Sequence, residues 1–339
     1  MKEKLLGKSL AELKELVASV GLPPFTAKQL CDWMYVKRVH SFEEMSNISK
    51  SGRATLDANF ELGYIAPAEV FSSEDGTRKY LFDYEGGAVE AVMIPDEDRR
   101  TLCASSQIGC KMNCRFCMTG RGGFHGNLSA ADIINQFIAI DEAVELTNAV
   151  FMGMGEPLDN YPNVSRALEV LTADWGFGWS PKRVTLSTIG ILPRLKDFLD
   201  LSRCHLAVSL HNPFPEERFG FMPVQKAYDI RDVVALIRKY DFSGQRRVSF
   251  EYTMFAGWND DARHALALCR LLKGLECRVN LIRFHRIPDF PYGCSTHEDM
   301  VAFRDILNKN GITCTIRASR GEDIFAACGL LAGKHEQDR

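Results

Sequence analysis

A chain of 339 residues, 46% hydrophobic and 25% charged, can bury a large core and has the composition of a globular protein, which excludes a disordered or fibrous one. Its formal net charge of -3 excludes a general attraction for nucleic acid, so any RNA binding must come from local basic clusters. Apolar runs such as "NAVFMGM" and "HLAVSL" are far shorter than a membrane span and the N-terminus lacks a secretory apolar core, so a cytoplasmic protein without a membrane partner is expected, in which eleven cysteines are not a disulfide framework.

In chain order, Ser9 and Glu12 make a capping-box pattern ahead of Leu10, Leu13, Leu16, Val17 and Val20, and Gly21 with Pro23 and Pro24 stops that helix. A second amphipathic run starts at Thr26, so residues 1–75 read as a small helical accessory domain. "TRKYLFDY" and "AVEAVMI" flank Glu85, Gly86 and Gly87 and predict a β-hairpin within a linker region, residues 76–100. From Thr101 the rhythm changes to short apolar or β-branched runs: "TLCASSQ", "NAVFMGM", "RVTLST", "HLAVSL", "RRVSFEYTM" and "CRVNLIRF". Amphipathic segments such as "SAADIINQFIAIDEAVE", "DIRDVVALIRKY" and "HEDMVAFRDILNKNG" stand between or after them. Repeated βα units predict a parallel sheet with helices outside, and six strands are too few to close a barrel of eight. The expected fold is therefore α/β, a partial (βα)6 TIM-like barrel over residues 101–318, with its chemistry at the C-terminal strand ends. A last strand, "TCTIRA", leads into a tail, residues 319–339, whose end "KHEQDR" is expected to be disordered.

The loop "SSQIGCKMNCRFCMTGRGGF" gathers Cys110, Cys114 and Cys117 among glycines and polar residues. Thiolates ligate zinc and iron–sulfur clusters, but structural zinc usually wants two cysteine pairs and no second C-x-x-C is present. Three thiolates can hold three irons of a four-iron cluster and leave the fourth open to a small chelating ligand. The loop also follows the first expected barrel strand, where a barrel active site belongs.

This cysteine pattern, with Phe116 before the last thiol, resembles the signature of radical S-adenosylmethionine enzymes. "FMGMGEPL", "VTLSTIGILP", "AVSLHNPF", "MPVQKAYDI", "VNLIRF" and "RGEDIFAACGLLAG" narrow the resemblance to the RlmN/Cfr family of RNA methyltransferases. The resemblance implies one [4Fe-4S] cluster per subunit on Cys110, Cys114 and Cys117, with S-adenosylmethionine on its open iron. It implies methylation of carbon 2 of adenosine 2503 in 23S rRNA and of adenosine 37 in tRNAs. Cys328 would accept the methyl group, Glu90 would remove the ring proton, and Cys103 would release the adduct through a transient disulfide with Cys328. Gly155, Glu156, Ser187, Ser209, Leu210 and His211 match the positions that bind S-adenosylmethionine. So does His285, which stands where the family carries Asn and whose imidazole can still donate one hydrogen bond.

Carbon 2 of adenine is electron-poor and cannot attack a sulfonium methyl as a nucleophile, which is why a radical route is needed. The base must also be splayed out to be reached. Lys37 and Arg38, Arg99 and Arg100, Lys182 and Arg183, and Arg317 with Arg320 form an RNA face only if they converge on the barrel mouth. The other expected partner is a flavodoxin-like electron donor, and the chain is expected to be a monomer. Two alternatives remain: methylation at carbon 8 of the same rRNA adenosine, and a non-catalytic iron–sulfur protein that binds RNA. "MGMGEPL" and "GGFHGNL" favour carbon 2, and the non-catalytic reading leaves Cys103 and Cys328 without a task.

Overall fold

The computed structural model describes residues 2–244 and 246–334; of the charged terminal stretch, residues 335–339 lie outside the described residues. The capping box forms as expected: Ser9 Oγ accepts from the Glu12 amide, Glu12 answers the Ser9 amide at 2.7 Å, and the helix runs Leu10–Ser19. The next helix, Thr26–Cys31, widens into a π-turn at Asp32–Val36, which no sequence pattern announced. Glu3–Lys4 pairs in parallel with Phe60–Glu61, which ties the two ends of this helical unit together.

The main sheet has ten strands: β1 Glu69–Ser72, β2 Arg78–Tyr84, β3 Gly87–Asp96, β4 Arg99–Cys103, β5 Asn148–Phe151, β6 Val184–Thr188, β7 His205–Ser209, β8 Val248–Met254, β9 Arg278–Arg283 and β10 Thr313–Ile316. Their spatial order follows the chain, β1 through β10. β4 to β10 are parallel, and β1 to β4 are antiparallel. Helices Ala130–Ile138, Tyr161–Thr172, Leu192–Leu201, Ile230–Ile237, Ala262–Leu272 and His297–Lys309 each connect consecutive parallel strands. Six βα units and a seventh parallel strand thus form the open barrel, because a right-handed crossover needs a helix to bring the chain back alongside. Strand centres such as Leu186, Val208, Phe250 and Leu281 are at most 1% exposed, as expected of strands covered on both faces.

Two expectations shift. The hairpin β2–β3 is part of the barrel sheet, since β3 also pairs with β4, and the boundary expected at residue 75 falls between two paired strands, β1 and β2. The seventeen-residue segment from Ser129 is α-helical only over Ala130–Ile138, with a short 3-10 turn at Ala143–Glu145. The chain leaves the helix where Asp141 and Glu142 turn to pair with Arg78, an end that periodicity could not locate.

Candidate functional site

In a parallel sheet every strand delivers its following loop to the same end, so segments far apart in sequence meet there. A cavity of about 160 Å³ opens at that end. Cys110, Cys114, Cys117, Gly155, Glu156, Ser187, Ser209, His211 and Cys328 all line it.

The cysteine loop is closed at its base by a two-stranded ribbon, Gln107–Gly109 with Phe124–Asn127, and by the Cys110 amide donating to the Gly123 carbonyl at 2.7 Å. Gly109 has φ +72, and a Cβ there would sit 1.9 Å from that carbonyl oxygen, so no other residue fits. Phe116 plugs the loop into the barrel, with its ring 5.0 Å from His211 and 5.6 Å from Phe255. None of the three thiols is in a disulfide. Burial, reinforced by the neighbouring thiols, pushes Cys110 up to about 12 and Cys114 and Cys117 above their usual range. With Cys114 buried and Cys110 and Cys117 half-buried, the three thiols ionise together more readily with a cation among them. Among the described residues no three His, Cys, Asp or Glu side chains are gathered closely enough to hold a single metal ion. Three cysteines from one loop facing one cavity are a donor set of the kind an iron–sulfur cluster takes.

Glu156 is the hub of the opposite wall. Gly155 brings it there with φ +96 and a close approach to Gln107, whose Oε1 accepts from the Glu156 amide at 2.8 Å. The carboxylate accepts from Thr188 Oγ1 at 2.6 Å and from the amides of Ile189 and Leu158, both at 3.0 Å. Burial nevertheless raises its pKa to about 7, and one acceptor position remains for a ligand. His211 has φ +55, and its Nδ1 accepts from the Thr253 amide at 3.0 Å, so the ring proton is on Nε2. Burial, with Arg218 nearby, lowers its pKa to about 3 and keeps it neutral. Beneath these strand ends the wholly buried Arg218 donates to the carbonyls of Ser209 and Leu210, both at 3.0 Å, and to Gln225.

The tail lies across the cysteine loop. The Met118 amide donates to the Gly329 carbonyl at 2.8 Å and Thr119 Oγ1 to the Leu331 carbonyl at 2.6 Å, which leaves Cys328 exposed on the cavity rim. Cys103, at the end of β4, is buried beside it: burial pushes its thiol up to about 12, and Cys328 adds to the shift. Arg317 feels both thiols and stands 3.5 Å from Glu251. Glu251 lies in the middle of β8, and the Oε2 that Arg317 faces accepts no hydrogen bond at ordinary distance.

Two family models match, "Ribosomal RNA large subunit methyltransferase N-terminal domain" over residues 3–62 and "Radical SAM superfamily" over residues 105–269. A probable dual-specificity RNA methyltransferase RlmN of Parabacteroides distasonis is 56% identical over 332 residues, 98% of this chain and 97% of that protein. The chain belongs to the RlmN family. A dual-specificity RNA methyltransferase RlmN of Syntrophus aciditrophicus is 41% identical over 98% of this chain and 97% of its own length. The crystal structure of a radical SAM methyltransferase from Sphaerobacter thermophilus superposes with a TM-score of 0.93 at 37% identity, covering 98% of this chain and all of the other. The radical SAM superfamily brings with it an iron–sulfur cluster and S-adenosylmethionine in general terms.

Against that RlmN frame, four sequence expectations land outside the cavity. Glu90 is wholly buried, ion-paired with Lys79 at 3.1 Å, and its Oε2 accepts from the tail amides of Ala332 and Gly333. Cys103 lies behind the wall rather than on it. Leu210 is buried and takes part through its backbone, donating to the Glu251 carbonyl at 3.0 Å. His285 turns to the root of the tail, 2.7 Å from Ser319 and 3.1 Å from Glu322, and does not reach the cavity.

The basic residues do not converge on the mouth. Arg99 and Arg100 open β4, and Lys182 and Arg183 precede β6, which puts both pairs at the N-terminal strand ends. Arg38 is half-buried against the Phe177 ring at 4.8 Å, and burial lowers its pKa to about 10. Lys37 is paired with Asp32 at 2.8 Å, and Arg317 faces the cavity. Sequence reading also missed Glu251 and Arg218. A carboxylate in the centre of the apolar run "VSFEYTM" was the available signal for the first; nothing in "PEERFGF" distinguishes Arg218 from a solvated charge. Among the described residues no helix is long and apolar enough to cross a membrane.

Proposed function

We propose that this RlmN-family protein methylates carbon 2 of adenosine in RNA, at adenosine 2503 of 23S rRNA and adenosine 37 of tRNAs, with Cys328 as the methyl carrier. The supporting observation is the exposed tail thiol on the rim of the cavity that the three-cysteine loop also lines, with a second thiol, Cys103, beside it. Cys110, Cys114 and Cys117 would hold one [4Fe-4S] cluster, and Glu156, Ser187, Ser209 and His211 would hold S-adenosylmethionine. When bound, these groups supply the methyl group and a deoxyadenosyl radical.

The chain's own residues then divide the work. Cys328 Sγ would take the methyl group, a hydrogen atom of that methyl would pass to the deoxyadenosyl radical, and the methylene carbon left on Sγ would bond to carbon 2 of the adenine. Glu90 is the proton acceptor, and because Ala332 and Gly333 now occupy its Oε2, the tail must shift before the carboxylate meets the ring. Cys103 would attack Cys328 Sγ, so that a disulfide forms as the sulfur–carbon bond breaks; the freed methylene carbon takes a proton to become the methyl group, and the one electron that started the radical is given back. His285, joined to Ser319 and Glu322, anchors the tail root instead of binding the cofactor. A cytoplasmic monomer served by a flavodoxin-like reductant completes the reading.

Nucleoside mass spectrometry of an rRNA fragment treated with reconstituted enzyme, S-adenosylmethionine and reductant should find 2-methyladenosine. Only 8-methyladenosine would reassign the reaction to the alternative carbon, and an unmodified fragment under turnover conditions would overturn the proposal.

Glu156 provides a pH test. Below about pH 7 its carboxyl is neutral and cannot pair with the cofactor's ammonium group; above, it is charged and can. In iron-free protein, affinity for S-adenosylmethionine should therefore rise with pH, by up to about tenfold per unit below the midpoint, and flatten above it. Calorimetric titration of wild type and Glu156→Gln reads this directly, and a slope that survives in Glu156→Gln would assign the titration elsewhere.

A further inference from the structure

A lysine is almost never wholly buried unless it is paired, yet Lys79 has no exposure. It lies in β2, diagonally across the ladder from Glu90 in β3: Lys79 pairs with Val92 and Leu81 with Glu90, so both side chains are on one sheet face. Val92 in turn pairs with Cys103, which places that thiol on the same face. Lys79 Nζ donates to the Ile324 carbonyl at 2.6 Å and pairs with Glu90 Oε1 at 3.1 Å. Glu90 Oε2 accepts from the Ala332 amide at 2.7 Å and the Gly333 amide at 3.0 Å. Ile324 and Ala332 stand four positions before and four after Cys328. One ion pair therefore grips both ends of the loop that carries the exposed thiol.

Gly333 shows how tightly the far end is seated. It has φ +63, and a Cβ there would come 2.4 Å from the Ala88 carbonyl oxygen and 2.8 Å from Met154. Burying two opposite charges is costly, and apolar replacements of similar size are often at least as stable, so stability alone is a poor reason for this pair. What an apolar pair could not do is satisfy a tail carbonyl and two tail amides together.

We propose that Lys79 and Glu90 form a clamp that holds the Cys328 loop over the cavity, which makes Lys79 a positioning residue for the methyl-accepting thiol. The clamp rests on the reading of Cys328 as methyl carrier. The pair grips main chain, so it fixes the loop's path without constraining the Cys328 side chain, which stays free to reach the cofactor and afterwards Cys103.

The test uses the holoenzyme and two readouts. Peptide hydrogen exchange should show residues 321–333 of Lys79→Met exchanging about tenfold faster or more, with the parallel strands unchanged. Single-turnover loading of a methyl group onto Cys328, read by intact mass, should slow by about ten- to a hundredfold, as expected for a misplaced reacting group. Because Lys79→Met removes the cation from a buried carboxylate, Lys79→Met/Glu90→Gln is made beside it, and the same loosening is expected there. Lys79→Arg, which keeps the charge, should recover part of the loading rate. Unchanged tail exchange in both Met-containing variants would overturn the clamp whatever the chemistry. A wild-type Cys328 that never acquires a methyl group would instead overturn the carrier reading, and with it the clamp's purpose.

Discussion

Cys328→Ala is expected to abolish both self-methylation and RNA methylation, whereas Cys103→Ala is expected to start the reaction and fail to finish it. The two thiols lie close enough for Cys328 to act electrostatically on Cys103, and their different surroundings fit the different roles proposed for them. Cys328 is exposed on the cavity rim, where it can meet both a cofactor and a base; Cys103 is buried and does not line the cavity, and Cys328 is among the charges that act on it. Burial also pushes the Cys103 thiol up to about 12, so it is a poor competitor for the methyl group while Cys328 is present. Without Cys103 the carbon–carbon bond can form but the sulfur–carbon bond has nothing to break it. A covalent protein–RNA species should accumulate in Cys103→Ala, survive denaturation and collapse to the protein mass on nuclease treatment. Normal multiple turnover by Cys103→Ala, or methylated RNA from Cys328→Ala, would remove the two-thiol mechanism from this protein.

The second large effect is on iron. Replacing Cys110, Cys114 and Cys117 together by Ala should leave anaerobically reconstituted protein with almost no bound iron or sulfide and reduce RNA methylation by at least about a thousandfold. The fold should persist, because the loop is held by contacts the thiols do not make: the Cys110 amide to Gly123, the Arg115 amide to Phe221 at 2.9 Å, and Phe116 against His211 and Phe255. Circular dichroism and iron analysis on the same sample separate the two effects. A folded triple variant that keeps its full iron content would place the cluster elsewhere.

How much of this was legible in sequence depends on whether a feature is local. The Ser9–Glu12 capping box, the hairpin around Gly86 and the parallel strands each carry their own signal within a few residues, and each appears where expected. The cysteine loop was legible because three thiols within eight residues have few structural explanations. Depth was harder to read. Nothing near Glu90 or Lys79 in sequence tells that both are wholly buried, because a tail more than two hundred residues later covers them, and Arg218 is buried by strand ends that precede it. Basic pairs illustrate the same limit: Arg99, Arg100, Lys182 and Arg183 are charged dipeptides in sequence, and only strand direction reveals that they lie opposite the mouth. His285 stood at a family position, but its side chain found Ser319 and Glu322, residues whose approach depends on how the tail leaves β10.

The central claim is that the methyl group reaches RNA by way of Cys328, and a pulse and chase of isotope tests it most directly. Protein loaded on Cys328 with isotopically labelled methyl, freed of cofactor and then given RNA, reductant and unlabelled S-adenosylmethionine for one turnover should yield labelled 2-methyladenosine, with the label lost from the Cys328 peptide. Unlabelled methyladenosine formed while Cys328 keeps its label would contradict the account.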